Sequence, residues 1–213
     1  MKRSYFLFFT VFCLLFSAFL WGCGDSGSGS PGSHGSEDTG VILDATIVPS
    51  YLDTDTPSVD AFQDICDAGP PRIYEAFTDH SATVTINARL LNPNTTFQPG
   101  ILYVQKYTIS YFRSTDSIGS PPIESDIRFA TIVITPPTGA GVATVADTVE
   151  FLDLKRKDKY AEDMLSGMFT SGLAFLNNYT AVYTFEGKNQ FDELFSFTVQ
   201  KDFQIGDFDN CGG

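Results

Sequence analysis

Ala82-Thr83-Val84-Thr85-Ile86-Asn87-Ala88-Arg89-Leu90 alternates apolar and polar residues without a break. A two-residue period puts the apolar side chains on one face of an extended chain and the polar ones on the other, so the stretch reads as a half-buried strand. The same period recurs at Tyr107, Ile109 and Tyr111, at Tyr179, Ala181, Tyr183 and Phe185, and at Phe195, Phe197 and Val199, continuing beyond Lys201 to Phe203 and Ile205. Aromatic residues dominate these inward positions. Further β-rich runs span Leu43 to Val48, Ile127 to Thr135 and Val142 to Leu154. Pro93 with Asn94, Pro99-Gly100, Pro121-Pro122, Pro136-Pro137 with Gly139, and Gly187 punctuate the runs as turns. About seven strands without crossover helices predict an all-β fold, an antiparallel sandwich. The one expected helix lies in Lys157 to Met168, where Tyr160, Ala161, Met164, Leu165 and Met168 fall near helical spacing.

The region from Thr78 to Asp207, with a last hairpin formed by Tyr179 to Glu186 and Leu194 to Ile205, resembles an immunoglobulin-like or fibronectin-like domain. The resemblance implies an immunoglobulin-like β-sandwich over residues 78–213, with about seven strands when Leu43 to Val48 is counted. Residues 41–77 are expected to supply a first strand and an irregular lead-in, rich in Asp and Pro between Tyr51 and Ile73, that covers a sheet edge. An antibody-type core is not expected, because Trp21 is the only tryptophan and precedes the domain.

Upstream, Lys2 and Arg3 precede a seventeen-residue apolar stretch from Tyr5 to Trp21, the layout of a secretory leader. Leu20-Trp21-Gly22-Cys23 resembles the lipobox of bacterial lipoproteins, with Leu20 three residues before the cysteine and the small Gly22 directly before it. That resemblance implies cleavage after residue 22, acyl chains on Cys23, and a lipid-anchored place in the bacterial cell envelope. Gly24 in place of aspartate favours the outer membrane or cell surface. Two alternatives compete with this reading. A retained membrane helix wants about 20 apolar residues, and ordinary cleavage wants a small-x-small pattern that Phe16 with Ala18 and Leu20 with Gly22 each half supply. Residues 23–40 then form the lipidated cysteine and its linker. From Gly24 to Gly40, eleven of seventeen residues are Gly or Ser, giving a coil whose root-mean-square reach is about 23 Å. A domain on such a tether hovers near the bilayer.

The formal charge is −13, and loss of Lys2 and Arg3 with the leader leaves −15. Such a field repels phosphate backbones and anionic headgroups, so nucleic-acid binding and electrostatic membrane docking are not expected, and a soluble monomer on a lipid anchor is. Four cysteines reduce to Cys66 and Cys211 once Cys13 leaves with the leader and Cys23 is acylated. Export places that pair where thiols oxidise, and a Cys66 to Cys211 disulfide is the expectation. Neither cysteine lies in a CxxC pattern, which leaves redox catalysis and a thiolate zinc site without support.

Asp53, Asp55, Asp60, Asp64 and Asp67 raise the question of calcium, with Asp53, Asp55, Asp207 and Asp209 as the set a disulfide would gather. Pro57 and Ser58 stand where an EF-hand loop needs a ligand and a glycine, so solvated loop carboxylates are expected and no metal or cofactor is assigned. Lys155, Arg156, Lys157 and Lys159 form the one basic cluster, set among Asp153, Asp158, Glu162 and Asp163 as a solvated turn. His34 and His80 are the only histidines, and no GxSxG run or glycine-rich phosphate loop accompanies them. The sequence therefore carries no catalytic assignment. Its functional expectation is a non-enzymatic envelope lipoprotein displaying a β-domain for protein interaction, adhesion or envelope assembly. The alternative is a carbohydrate or small-molecule binding module using exposed aromatics.

Overall fold

Alternation in sequence becomes alternation in burial: Ala82, Val84, Ile86 and Ala88 are fully buried on one face of a strand whose other face is wet. The computed structural model describes residues 36–213 except 51–57, 95, 97, 172–174, 209, 210, 212 and 213. Its long strands are β1 (Val41–Pro49), β5 (His80–Leu90), β6 (Leu102–Arg113), β7 (Asp126–Ile134), β8 (Ala143–Leu152), β9 (Asn177–Asn189) and β10 (Leu194–Gly206). Three short ones, β2 (Ser58–Asp60), β3 (Ile65–Asp67) and β4 (Ile73–Tyr74), lie in the lead-in, and helix α1 (Leu154–Leu165) follows β8. The fold is all-β in class, with two main sheets ordered β1-β5-β8 and β2-β10-β9-β6-β7 around one shared core, and a β3-β4 pair outside it.

The structure departs from the sequence reading at four places. Between the described strands every pairing is antiparallel except β2 with β10, which is parallel over three residues. That pairing lays the lead-in along the end of the β10 edge. Helix α1 starts three residues before the expected Lys157 because Asp153 caps it, its side chain accepting from the Arg156 N–H at 2.9 Å. It stops before Met168 because Gly167 turns the chain at φ +73°. The tether expected to run to Gly40 is already docked at Ser36, which is buried and whose hydroxyl accepts from the Leu43 N–H. Finally, β1 pairs with β5 over its whole length, so residues 41–49 share a sheet with the strands after residue 78.

Aromatic packing joins the sheets. Phe185 stacks on Phe197 at 4.9 Å and lies 5.5 Å from Tyr107, all inward from the five-stranded sheet. Three tyrosine hydroxyls then reach across to β8: Tyr183 donates to the Glu150 carbonyl, Tyr111 donates to the Phe151 carbonyl, and Tyr107 accepts from the Glu150 N–H. These bonds satisfy backbone groups that an edge strand would otherwise leave unpaired. In β6 a bulge between Val104 and Lys106 resets the alternation, so Val104 and Tyr107 both face inward while Lys106 turns out to pair with Glu186 at 2.8 Å. Opposite it, Gly187 has no room for a side chain: a Cβ there would sit 2.0 Å from the Tyr103 carbonyl oxygen.

Strand register gives the domain two poles. One carries the start of β1, the 91–101 loop, the 135–142 loop and the 190–193 turn, since Val41 pairs with Leu90 and Leu102 with both Ile134 and Asn189. The other carries the lead-in, the 114–125 loop, α1 and the C-terminal tail.

Candidate functional site

Of the edges the two sheets leave, three are managed. β8 is capped by tyrosines at Glu150 and Phe151. The end of β10 is covered by β2, and Lys201 stands opposite inward Ala181 on the open part of that strand, an inward charge that discourages strand addition. β1 contacts β10 across the gap between the sheets. β7 is different. It pairs with β6 on one side, and among the described residues no other element hydrogen-bonds its backbone from Phe129 to Ile134 on the other. Three of its four outward side chains are apolar, Phe129 being 90% exposed, Ile127 62% and Val133 44%, and the fourth is Thr131.

The start of β7 is fixed by a four-charge network. Arg128 pairs with Asp126 at 2.5 Å and Asp153 at 3.2 Å, while Arg156 pairs with Asp153 at 2.5 Å and Asp126 at 3.2 Å. Arg156 also donates to the Glu124 and Ser125 carbonyls. The network anchors one end of the strand to α1 and leaves the remainder free. A depression of about 520 Å³ adjoins it, lined by Phe129, Lys106, Glu186, Leu194, Phe195 and Ser196 among others. It presents one highly exposed aromatic, Phe129, because Phe195 is buried in the core.

The residues singled out in the sequence fall as follows. Cys66 and Cys211 stand at disulfide distance, their Cα atoms 5.0 Å apart, joining β3 to the tail. Cys23, His34, Asp53, Asp55 and Asp209 lie outside the described residues, and Asp207 is half-buried near the tail. Among the described residues no group of three or more His, Cys, Asp or Glu side chains is placed to hold a metal ion. The basic cluster disperses. Arg156 joins the network above, Lys159 pairs with Asp163, and Lys157 is buried, donating to the Thr78 carbonyl at 2.8 Å and lying 4.2 Å from the Phe77 ring centre. Burial pushes the Lys157 ammonium down in pKa, opposed foremost by Asp60. Glu150 Oε1 is buried without a hydrogen-bond partner among the described residues, and burial raises its pKa against the pull of Arg128. Of the tyrosines, Tyr107, Tyr160, Tyr179 and Tyr183 are buried, leaving Tyr74 and Tyr103 as the exposed ones described.

Asp60, expected as a solvated loop carboxylate, is instead buried beside Glu75, which the sequence reading did not single out. Asp60 Oδ1 accepts from the Phe62 and Phe208 N–H groups, and Glu75 Oε1 accepts from the Asp64 N–H. Burial, then the hydrogen bond to Glu75, pushes the Asp60 carboxyl up to about 7. Nearby, burial and then Lys157 push the His80 imidazole down to about 4, with Asp79 opposing. Between about pH 4 and 6.5 the native state therefore holds a proton on Asp60 that the unfolded chain has released. It also lacks one on His80 that the unfolded chain retains. The stability Asp60 contributes is full below pH 3.8 and is lost as pH rises through 7; the stability His80 contributes is full above pH 6.5 and is lost as pH falls toward 4. Their slopes oppose. Relative to the parent, Asp60→Asn should turn the dependence of stability on pH upward in this window and His80→Gln should turn it downward, read from urea midpoints; an Asp60→Asn protein with the parent's pH dependence contradicts a proton held on Asp60.

No family model matches the chain, and no curated protein matches it. Among solved structures it is similar to the X-ray structure of Northeast Structural Genomics Consortium target SoR45, at 9% identity and a TM-score of 0.29, over 79% of this chain and 87% of that one. Likeness at that level carries neither fold nor function across. Among the described residues no helix is long and apolar enough to cross a membrane.

Proposed function

We propose that the chain is a lipid-anchored bacterial envelope protein, acylated at Cys23, whose immunoglobulin-like domain offers the open edge of β7 to an extended segment of another envelope protein. The strand orders support the domain reading: β1-β5-β8 follows the A-B-E order of such sandwiches and β10-β9-β6-β7 their G-F-C sheet with an added C′ strand. The observation that carries the function is the β7 edge bearing exposed Ile127, Phe129 and Val133, set against a β8 edge capped at Glu150 and Phe151 and a β10 edge that ends under β2. A strand added there gains main-chain hydrogen bonds for affinity and buries alternate side chains for specificity. Burial of each large apolar side chain contributes about 1.5–3 kcal/mol. The single exposed aromatic beside the depression favours this reading over sugar binding, which uses paired stacking faces. The domain is non-catalytic in this proposal.

A photocrosslinking amino acid at Thr131 in intact cells should capture one discrete partner, and lysines at Ile127 and Phe129 should cut its yield at least tenfold without lowering the melting temperature. Equal capture from Thr184, on the same sheet face but in the central strand β9, would contradict edge pairing. Mass spectrometry of the mature N-terminus tests the anchor separately, and an unmodified Cys23 would refute it.

A further inference from the structure

We infer that the pole at which the chain enters the domain is a membrane-resting face, Leu91 and Phe191 seating in the bilayer interface beside the anchor. The inference rests on the lipid-anchor reading above. It begins with where the chain arrives. Ser36–Gly40 docks at the start of β1, and the Gly40 carbonyl accepts from the Leu91 N–H at 3.0 Å. Pro99 packs beside Gly40. Gly100 lies against the Phe191 ring, close enough that a Cβ there would meet it at 3.0 Å, and the Gln190 N–H donates to the Ile101 carbonyl at 2.9 Å. The entry point, Leu91, residues 99–101 and the 190–193 turn thus form one continuous surface. Its large side chains point to water: Leu91 is 51% exposed, Phe191 53%, and Leu194, one step along, 78%. Val142 stands at the same pole by register, since Ala143 pairs with Ala88, and is also exposed.

The chain outside the described residues fixes the occupant. Cys23 precedes Ser36 by thirteen residues, which at full extension span no more than about 45 Å. An acylated Cys23 keeps this pole within that distance of the headgroups and makes it the part of the domain nearest the anchor. Covalent attachment also makes apolar contact intramolecular, so a contact too weak to recruit a free protein becomes populated. Exposed Phe and Leu are the side chains that enter the headgroup and acyl boundary. The charges of the turn are already engaged, Lys188 with Asp192 at 2.5 Å and Glu193 with the Asn189 amide at 2.6 Å. With a strongly acidic body, the contact is apolar and independent of anionic lipid. The opposite pole, with α1, the β3-β4 pair and the Cys66 to Cys211 bridge, then faces away, and the β7 edge runs unobstructed between the two.

The test uses the full chain, expressed, processed and purified with its lipid, in vesicles of phosphatidylcholine with and without brominated acyl chains. Trp21 is the only tryptophan, so after leader removal Phe191→Trp carries a single reporter. Its emission should shift to the blue on vesicles and fall at least twofold with brominated lipid, while Ile118→Trp at the far pole stays unchanged. Vesicle-bound protein in which Phe191→Trp is no more quenched than Ile118→Trp overturns the inference and leaves the anchor standing. Protein that fails to float with vesicles and carries an unmodified Cys23 by mass overturns both.

Discussion

Serine at both Cys66 and Cys211 is expected to lower the unfolding free energy by about 5 kcal/mol, measured as the shift in urea unfolding at neutral pH. The bridge closes a loop of sequence separation 145, and in the chain-entropy model a loop of that length removes about this much from the unfolded ensemble. The loss has a location. β2 is held to β10 by three residues of parallel pairing, too few to order the lead-in once the link to the tail is gone. Protease should then cut first within residues 61–77 while the seven long strands stay resistant. A Cys66→Ser, Cys211→Ser protein with the parent's stability would show that the pair contributes nothing in solution.

The second large effect is expected at Phe185. Phe185→Ala should cost about 3–5 kcal/mol, because the ring is fully buried, stacks on Phe197 at 4.9 Å and lies 5.5 Å from Tyr107 and 6.1 Å from Tyr183. Its removal opens a cavity at the centre of the five-stranded sheet's inner face. Phe129→Ala, the same chemistry on the β7 edge, should change stability by no more than about 0.5 kcal/mol, since that ring packs against little. Equal losses at the two positions would mean that Phe129 is covered in solution.

Much of the fold was legible because strand alternation is local. The 82–90 pattern reads directly as the burial of β5, and the inward Tyr and Phe of β9 and β10 read as core. The phase change from Val104 to Tyr107 was also present in the sequence, as two alternating runs out of step by one residue, and a bulge is the physical way to join them. Other features were beyond reach. β2, β3 and β4 hold two or three residues each, a single repeat of the two-residue period and too few to show an alternation. Asp153 as a helix cap was readable, but the apolar spacing that drew the helix to Lys157 begins a turn later than the cap.

The candidate site was less legible than the fold because it depends on what lies beside each strand. Nothing in the residues of β7 says that β8 will have its backbone groups met by Tyr107, Tyr111 and Tyr183 while β7 will not. Those tyrosines read correctly as core, yet their hydroxyl targets lie 33 to 43 residues away in sequence. Asp60 and Glu75 likewise meet only in space. The arrival of the chain beside Leu91 and Phe191 depends on the register of β1 with β5 and of β6 with β9.

Amide hydrogen exchange of the photocrosslinked complex, set against the protein alone, bears most directly on β7 as the recognition edge. Alone, the outward amides between Phe129 and Ile134 should exchange quickly while the Glu150 amide, held by Tyr107, exchanges slowly; in the complex the β7 amides should become at least tenfold slower. Protection gained elsewhere with β7 unchanged, or a β7 already protected in the isolated protein, would contradict the proposal.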